Sequence, residues 1–454
     1  MQRREFLRNL AGASVLTMFS RHALAQGNSN TAQDKPPNIV LIVSDDQDWG
    51  DYSFMGHPSI QTPNLDRLAE QSLLFTRGWV TAPLCCPSLG SMVTGLHPHQ
   101  NKITSNDPPF DDVGQQHGPT TWSEERIALR RRMERLYTES PTLPRLLAEK
   151  GYLSHQSGKW WGGHYSNGGF THGMTHGDFE RGGRHGDVGL SIGREGMEPV
   201  FDFIEDAGES PFFLWFAPFL PHTPHNPPER LMEKYADKHE SMFVARYWAM
   251  CEWWDEVCGE LLDHLEEKGL ADNTMVLYIC DNGWTQLEDE PGFHPRSKRA
   301  PYDSGVRTPL MVRWPGKVTP RRDERTLVNA VDLAPTILQA CGITPTNDMQ
   351  GINLLDQEAL ASRNTNFAAA YTHDHVDIER PESSLQYLCV QEGEWKLILP
   401  NTENTDTDYS QLFNVFDDPL EQNNLAENFP DRVNHLRSLL RDWWFEGESA
   451  CIST

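Results

Sequence analysis

Two pairs of hard-oxygen side chains stand at the ends of apolar runs: Asp45-Asp46 after NIVLIVS (38–44) and Asp281-Asn282 after MVLYIC (275–280). Either pair alone is what a turn or a helix cap requires. Together, each closing a run apolar enough to be a central strand, they can converge beyond the carboxyl edge of one sheet, where open α/β folds bind their ligands. Oxygen-only ligands suit one divalent cation, Ca²⁺ or Mg²⁺, rather than zinc. A second reactive stretch is LCCPSLGSMVTG (84–95). Pro87 can occupy the first helical position, so a helix is expected to begin there with Cys85 just ahead of it, facing any anion drawn to the helix N-terminus. A buried structural cysteine is the plainer reading of Cys85.

The remaining cysteines do not form a framework. Eight are present, but Cys251 and Cys258 lie two turns apart on one predicted helix, about 10 Å from each other and too far to bridge. Cys280 and Cys341 fall in apolar stretches, and no paired CxxC offers a structural zinc site.

Helical patterns separate the strands that must position these groups: 62–72, 143–151 and 241–269. The alternation predicts a doubly wound, mostly parallel α/β sheet with helices on both faces over residues 38–370. Beyond it, 385–391, 394–400 and 411–416 read as short strands and 431–444 as a helix, so 371–454 is expected to be a small antiparallel α+β subdomain. The Gly- and His-rich stretch 162–186, with His164, His172, His176 and His185, reads as a surface loop. Arg126, Arg130, Arg131, Arg132 and Arg135 form a basic helical stretch, either a solvated face or a holder for a polyanion.

The chain has 454 residues, with 39 Lys and Arg against 65 Asp and Glu and a formal charge of −26. Such a balance disfavours nucleic acid and anionic membrane as partners. An anionic substrate must then be held by local cations or a metal. Arg3-Arg4, Phe6-Leu7, the apolar run 10–19, Arg21 and Ala23-Leu24-Ala25 are similar to a twin-arginine signal peptide over 1–25, followed by a polar linker over 26–37. Export by the twin-arginine machinery to the periplasm or beyond is expected. No other apolar run approaches the ~20 residues of a membrane span, so the mature protein is expected to have none.

The chain resembles the type I sulfatases of the alkaline phosphatase superfamily. Cys85, Pro87, Ser88 and Thr94-Gly95 match the Cys-x-Pro-Ser-Arg motif with its following Thr-Gly. TPNLDRLA (62–69), GYLSHQSGKW (151–160), DNTMVLYICDNG (272–283), SKRAPYDSGVRTP (297–309), VDLAPTILQACGI (331–343) and FDDPLEQNNLAE (416–427) follow in the family's order. The resemblance implies that a formylglycine-generating enzyme oxidises Cys85, with Cys86 as the variable position. It further implies that Asp45, Asp46, Asp281, Asn282 and the modified Cys85 hold the metal, that Lys159 and Lys298 hold the sulfate, and that His222 of PHTPH assists at the leaving-group oxygen. The implied substrate is a sulfated small molecule or saccharide. Two positions depart from the family pattern: Leu89 stands where the motif has Arg, and Trp161 where a His follows the GKW lysine. His164 is the candidate replacement for that imidazole. A phosphonate or phosphodiester hydrolase, or a non-catalytic binder of sulfated ligands, are the alternatives.

Overall fold

A computed structural model describes residues 35–109, 123–178, 181 and 186–444. The expected signal peptide, most of the linker and His185 lie outside the described residues. Nine strands form the main sheet: β1 (Asn38–Ser44), β2 (Leu73–Trp79), β3 (Leu153–Gly158), β4 (His172–Gly173), β5 (Phe212–Ala217), β6 (Thr274–Cys280), β7 (Arg307–Arg313), β8 (Arg321–Asp323) and β9 (Val328–Asn329). Their order is β4-β3-β5-β1-β6-β7-β2-β8, with β9 also on β2. All pairings are parallel except those of β7, which runs against both β6 and β2.

Period-two alternation sorts each central strand between two cores. Ile39, Leu41 and Val43 of β1 join Met275, Leu277 and Ile279 of β6 and Phe213 and Trp215 of β5 on one face. Val40, Ile42, Val276, Tyr278, Leu214 and Phe216 point to the other. Because both faces are covered, these strands are apolar throughout. The helices Pro63–Glu70, Glu198–Ala207 and Met242–Glu267 supply the second face, and Cys85–Thr94, Glu124–Glu139 and Leu333–Ala340 the first.

A second, antiparallel sheet contains β10 (Thr365–Tyr371), β11 (Leu385–Glu392), β12 (Trp395–Pro400) and β13 (Gln411–Asn414), in that order. The helix Pro430–Trp443 packs on it through Val433, Leu436, Leu440 and Trp443. The expected division at residue 370 falls inside β10. The two sheets are tied by a buried ion cluster: Lys396 Nζ lies 2.9 Å from Asp303 Oδ1 and 2.8 Å from Glu421 Oε1, and Glu421 Oε2 accepts the Asp303 N–H at 2.6 Å. Among the described residues no helix is long and apolar enough to cross a membrane.

Three local expectations change. Within 162–186, His172–Gly173 forms an edge strand and Tyr165–Gly168 a single 3-10 turn. The basic stretch divides: Arg130 is fully buried, Arg132 pairs with Glu139 and Glu379, and Arg131 and Arg135 are exposed. The cysteine helix begins at Cys85 itself, with Leu84 as its cap and Pro87 as its third residue. The first turn needs no N–H from that position either, so proline is tolerated there.

Candidate active site

β1 and β6 pair in register from Asn38↔Thr274 to Ser44↔Cys280, so Asp45 and Asp281 leave the sheet side by side. Asp46 then takes a left-handed turn, φ 63°, and its N–H bonds Asp281 Oδ1 at 3.1 Å. Lys159 enters from β3 across Gly158, whose φ of 78° and close approach to Ala217 exclude a side chain: a Cβ there would lie 1.9 Å from the Ala217 carbonyl oxygen. Lys298 sits in a turn fastened by the Arg299 N–H on the Pro83 carbonyl at 2.7 Å, next to the segment that carries Cys85. Arg194 clamps the loop bearing His222, donating to the carbonyls of Phe219 at 2.7 Å and His222 at 3.1 Å.

All eight residues expected in the site meet at this edge of the sheet. Lys159 Nζ is 2.5 Å from Asp45 Oδ1 and 3.3 Å from Asp281 Oδ2. Lys298 Nζ is 2.6 Å from Asp46 Oδ1, and Asn282 Nδ2 donates to the same oxygen at 2.7 Å. His222 Nδ1 donates to the Thr223 carbonyl at 2.7 Å, which turns Nε2 toward Asp46 Oδ2, 3.3 Å away. One ligand atom each from Asp45, Asp46, Cys85 and His222 lie within 4.8 Å of one another.

Burial and charge together set the pKa directions. Burial pushes the Asp45 carboxyl well up, and the neighbouring Asp281 and Asp46 add to it against the pull of Lys159. For Lys159, burial alone would lower the ammonium, but Asp281, Asp45 and Cys85 overrule it and hold it well above its ordinary range. Burial raises the Cys85 thiol to about 12 despite both lysines, so the unmodified cysteine is a poor nucleophile at neutral pH. Burial, followed by Lys298 and Lys159, depresses His222.

Three carboxylates facing two ammoniums leave one negative charge in a buried site. A divalent cation turns that balance to one positive charge, which is what an anionic substrate needs. The donor set fits such an ion: Asp45 Oδ2 and Asn282 Oδ1 are buried without a hydrogen-bond partner, and both are hard oxygens.

The two departures are accommodated by packing. Leu89 is buried in the core of its face of the sheet, and the carbonyl of buried Trp161 accepts Arg130 Nη2 at 3.0 Å, with the guanidinium 5.2 Å from its ring. His164 engages Ser166 through Nδ1, and its ring lies against Tyr165 and His176. The sequence reading missed Phe219 and Trp284, whose rings lie 5.5 Å from Lys159 Nζ and 5.6 Å from Lys298 Nζ. Trp284, two residues after Asn282, was findable from its place at a strand end; Arg194 had no such signal.

The family profile "Sulfatase" matches residues 37–343, and "N-sulphoglucosamine sulphohydrolase, C-terminal" matches 290–442. Human N-acetylgalactosamine-6-sulfatase is 29% identical over 374 residues, 72% of this chain and 67% of that protein. A Bacteroides thetaiotaomicron N-acetylgalactosamine-6-O-sulfatase is 23% identical over 95% of this chain and 97% of its own. A solved protein in complex with its substrate D-glucosamine-2-N,6-O-disulfate shares the fold, with a TM-score of 0.67, 20% identity and coverage of 90% of this chain and 97% of that one. So does the phosphonate monoester hydrolase of Agrobacterium radiobacter, with a TM-score of 0.65, 17% identity, and coverage of 89% of this chain and 95% of that one.

Proposed function

Because the chain belongs to the sulfatase family, we propose that it is an exported, metal-dependent sulfatase that removes sulfate from sulfated saccharides through a formylglycine derived from Cys85. Sulfate ester hydrolysis follows from the family. The saccharide is inferred from relatives named for N-acetylgalactosamine 6-sulfate, and export from the Arg3-Arg4 leader. The observation that carries the reading is the meeting of Cys85, three carboxylates, Asn282 and two ammoniums at one buried sheet edge.

Asp45, Asp46, Asp281 and Asn282 would hold the cation, whose chemistry is to lower the pKa of a coordinated hydroxyl and to neutralise sulfate oxygens. Converted to a hydrated aldehyde, residue 85 would supply that hydroxyl as the nucleophile toward sulfur. Lys159 and Lys298 orient the sulfate and offset the charge that builds on its oxygens. His222, held by Thr223 through Nδ1, presents Nε2 as the atom that hands a proton to the departing sugar oxygen.

Intact-peptide mass spectrometry of residue 85, after co-expression with a formylglycine-generating enzyme, is paired with turnover of N-acetylgalactosamine 6-sulfate before and after metal removal. Conversion together with metal-dependent sulfate release is the expected result. An unconverted Cys85 with no turnover would favour the non-catalytic alternative.

A further inference from the structure

Beside His222 opens a cleft of about 770 Å³, lined by Phe219, His225, Arg246, Trp284 and Phe293 among others. Most of the wall is aromatic. The Trp284 and Phe293 rings sit 5.0 Å apart at 54°, an arrangement that offers a ring face and an edge to a flat ligand. His225 is wedged between Tyr247 and Trp284, at 5.5 and 6.0 Å, and its Nε2 is buried with no hydrogen-bond partner.

Arg246 stands out on this apolar surface. It lies in the first turns of the helix Met242–Glu267, is exposed at the cleft, and pairs with no carboxylate among the described residues. Acids outnumber bases 65 to 39 in this chain, yet none of them faces Arg246 within ion-pair distance among the described residues. A guanidinium without a partner beside a sulfate-handling site is arranged for an anion that arrives with the ligand. Its planar fork suits carboxylate or sulfate, which it can bind through two hydrogen bonds.

We propose that this cleft receives the saccharide ring on the leaving-group side of the reaction, and that Arg246, with His225 Nε2 as a second polar contact, binds a second anionic group on that substrate. The substrate class is thereby narrowed to saccharides that carry a carboxylate or a further sulfate besides the ester to be cleaved. The inference rests on the sulfatase reading for the identity of the cleaved group. Segments 219–225, 243–246 and 284–293 form these walls.

Binding separates the two readings, because it needs no turnover. Calorimetry on the full chain carrying Cys85→Ala, with Ca²⁺ present, compares three ligands: N-acetylgalactosamine 6-sulfate, a disulfated counterpart, and its disaccharide with a hexuronate. At least one doubly charged ligand is expected to bind roughly tenfold or more tightly than the monosulfate, and Arg246→Ala to erase that advantage. Arg246→Lys should keep part of it. Whichever ligand responds identifies the second anion as sulfate or carboxylate. An advantage that survives Arg246→Ala, no advantage in the parent, or no binding of any ligand at millimolar concentration overturns the inference. Turnover by the converted parent without such discrimination overturns it and leaves the sulfatase reading standing. Discrimination without turnover does the reverse.

Discussion

Asp281 contributes one of the three carboxylates beside Lys159 and Lys298, and its removal leaves the two ammoniums nearly balanced by Asp45 and Asp46. With less negative charge and one oxygen ligand gone, the site should release its cation. Asp281→Ala and Asp45→Ala are each expected to lower turnover by on the order of a thousandfold or more, and the double variant to contain less than a tenth of a metal equivalent by elemental analysis. A full equivalent in the double variant would contradict the ligand assignment. The adjacent thiols separate more sharply. Cys86 points away from the carboxylates: its Sγ lies 3.6 Å from Tyr137 Oη and its N–H bonds Asn106 Oδ1 at 2.9 Å. Cys86→Ser should therefore retain turnover within about threefold, since serine keeps a polar contact to Tyr137, whereas Cys85→Ala has nothing to oxidise and should have none. Steady-state rates on N-acetylgalactosamine 6-sulfate with equal metal loading decide this; comparable rates in Cys85→Ala and the parent would remove residue 85 from the chemistry.

At the scale of elements, β3 shows how a site-bearing strand also carries a titration. His155 is buried on β3 with its ring 4.9 Å from Phe203, and burial lowers its pKa to about 4. The unfolded chain takes up this proton near pH 6.5, while the folded chain refuses it until about pH 4. Stability from the neutral imidazole is thus complete above pH 6.5 and lost as pH falls toward 4. Relative to His155→Leu, the parent should weaken by up to about 1.4 kcal/mol per pH unit across that window, read from urea midpoints at several pH values. A flat difference would show that His155 is not protected from protonation. The legible elements were those with long periodic or continuous patterns. NIVLIVS and MVLYIC announced β1 and β6, and their acidic ends announced the site. β8 and β9, of three and two residues, are too short for any period to register. RTPLMVR forms β7, but nothing in a run buried on both faces tells which way it points, so its reversal was not readable. Lys159 and Lys298 were read from family motifs and not from periodicity, because a buried lysine at a strand end looks in sequence like a solvated one.

For the molecule as a whole, the ion cluster between the sheets carries more than its few atoms suggest. Lys396 is fully buried within the apolar run of β12, and there it faces Asp303 and Glu421. Lys396→Met removes the cation and strands two buried carboxylates, leaving Arg307 3.8 Å from Asp303. A loss of about 3–5 kcal/mol is expected in guanidinium unfolding. Lys396→Met combined with Asp303→Leu and Glu421→Met should recover much of it; no recovery would mean that the cluster is not the cause. The strand order has a further consequence for the timing of synthesis. β2 leads directly into Cys85, yet every strand it pairs with lies at Arg307 or beyond, about 220 residues later in the chain. At roughly 5–20 residues per second, a ribosome needs about 10–45 s to deliver those partners. For that interval the strand that leads into Cys85 has no partner in the sheet, which is when the proposed conversion of a thiol that the finished fold buries would have to occur. The reversed β7 thus acts as a clock: until about two-thirds of the chain has been made, nothing links the strand that precedes Cys85 to the rest of the sheet.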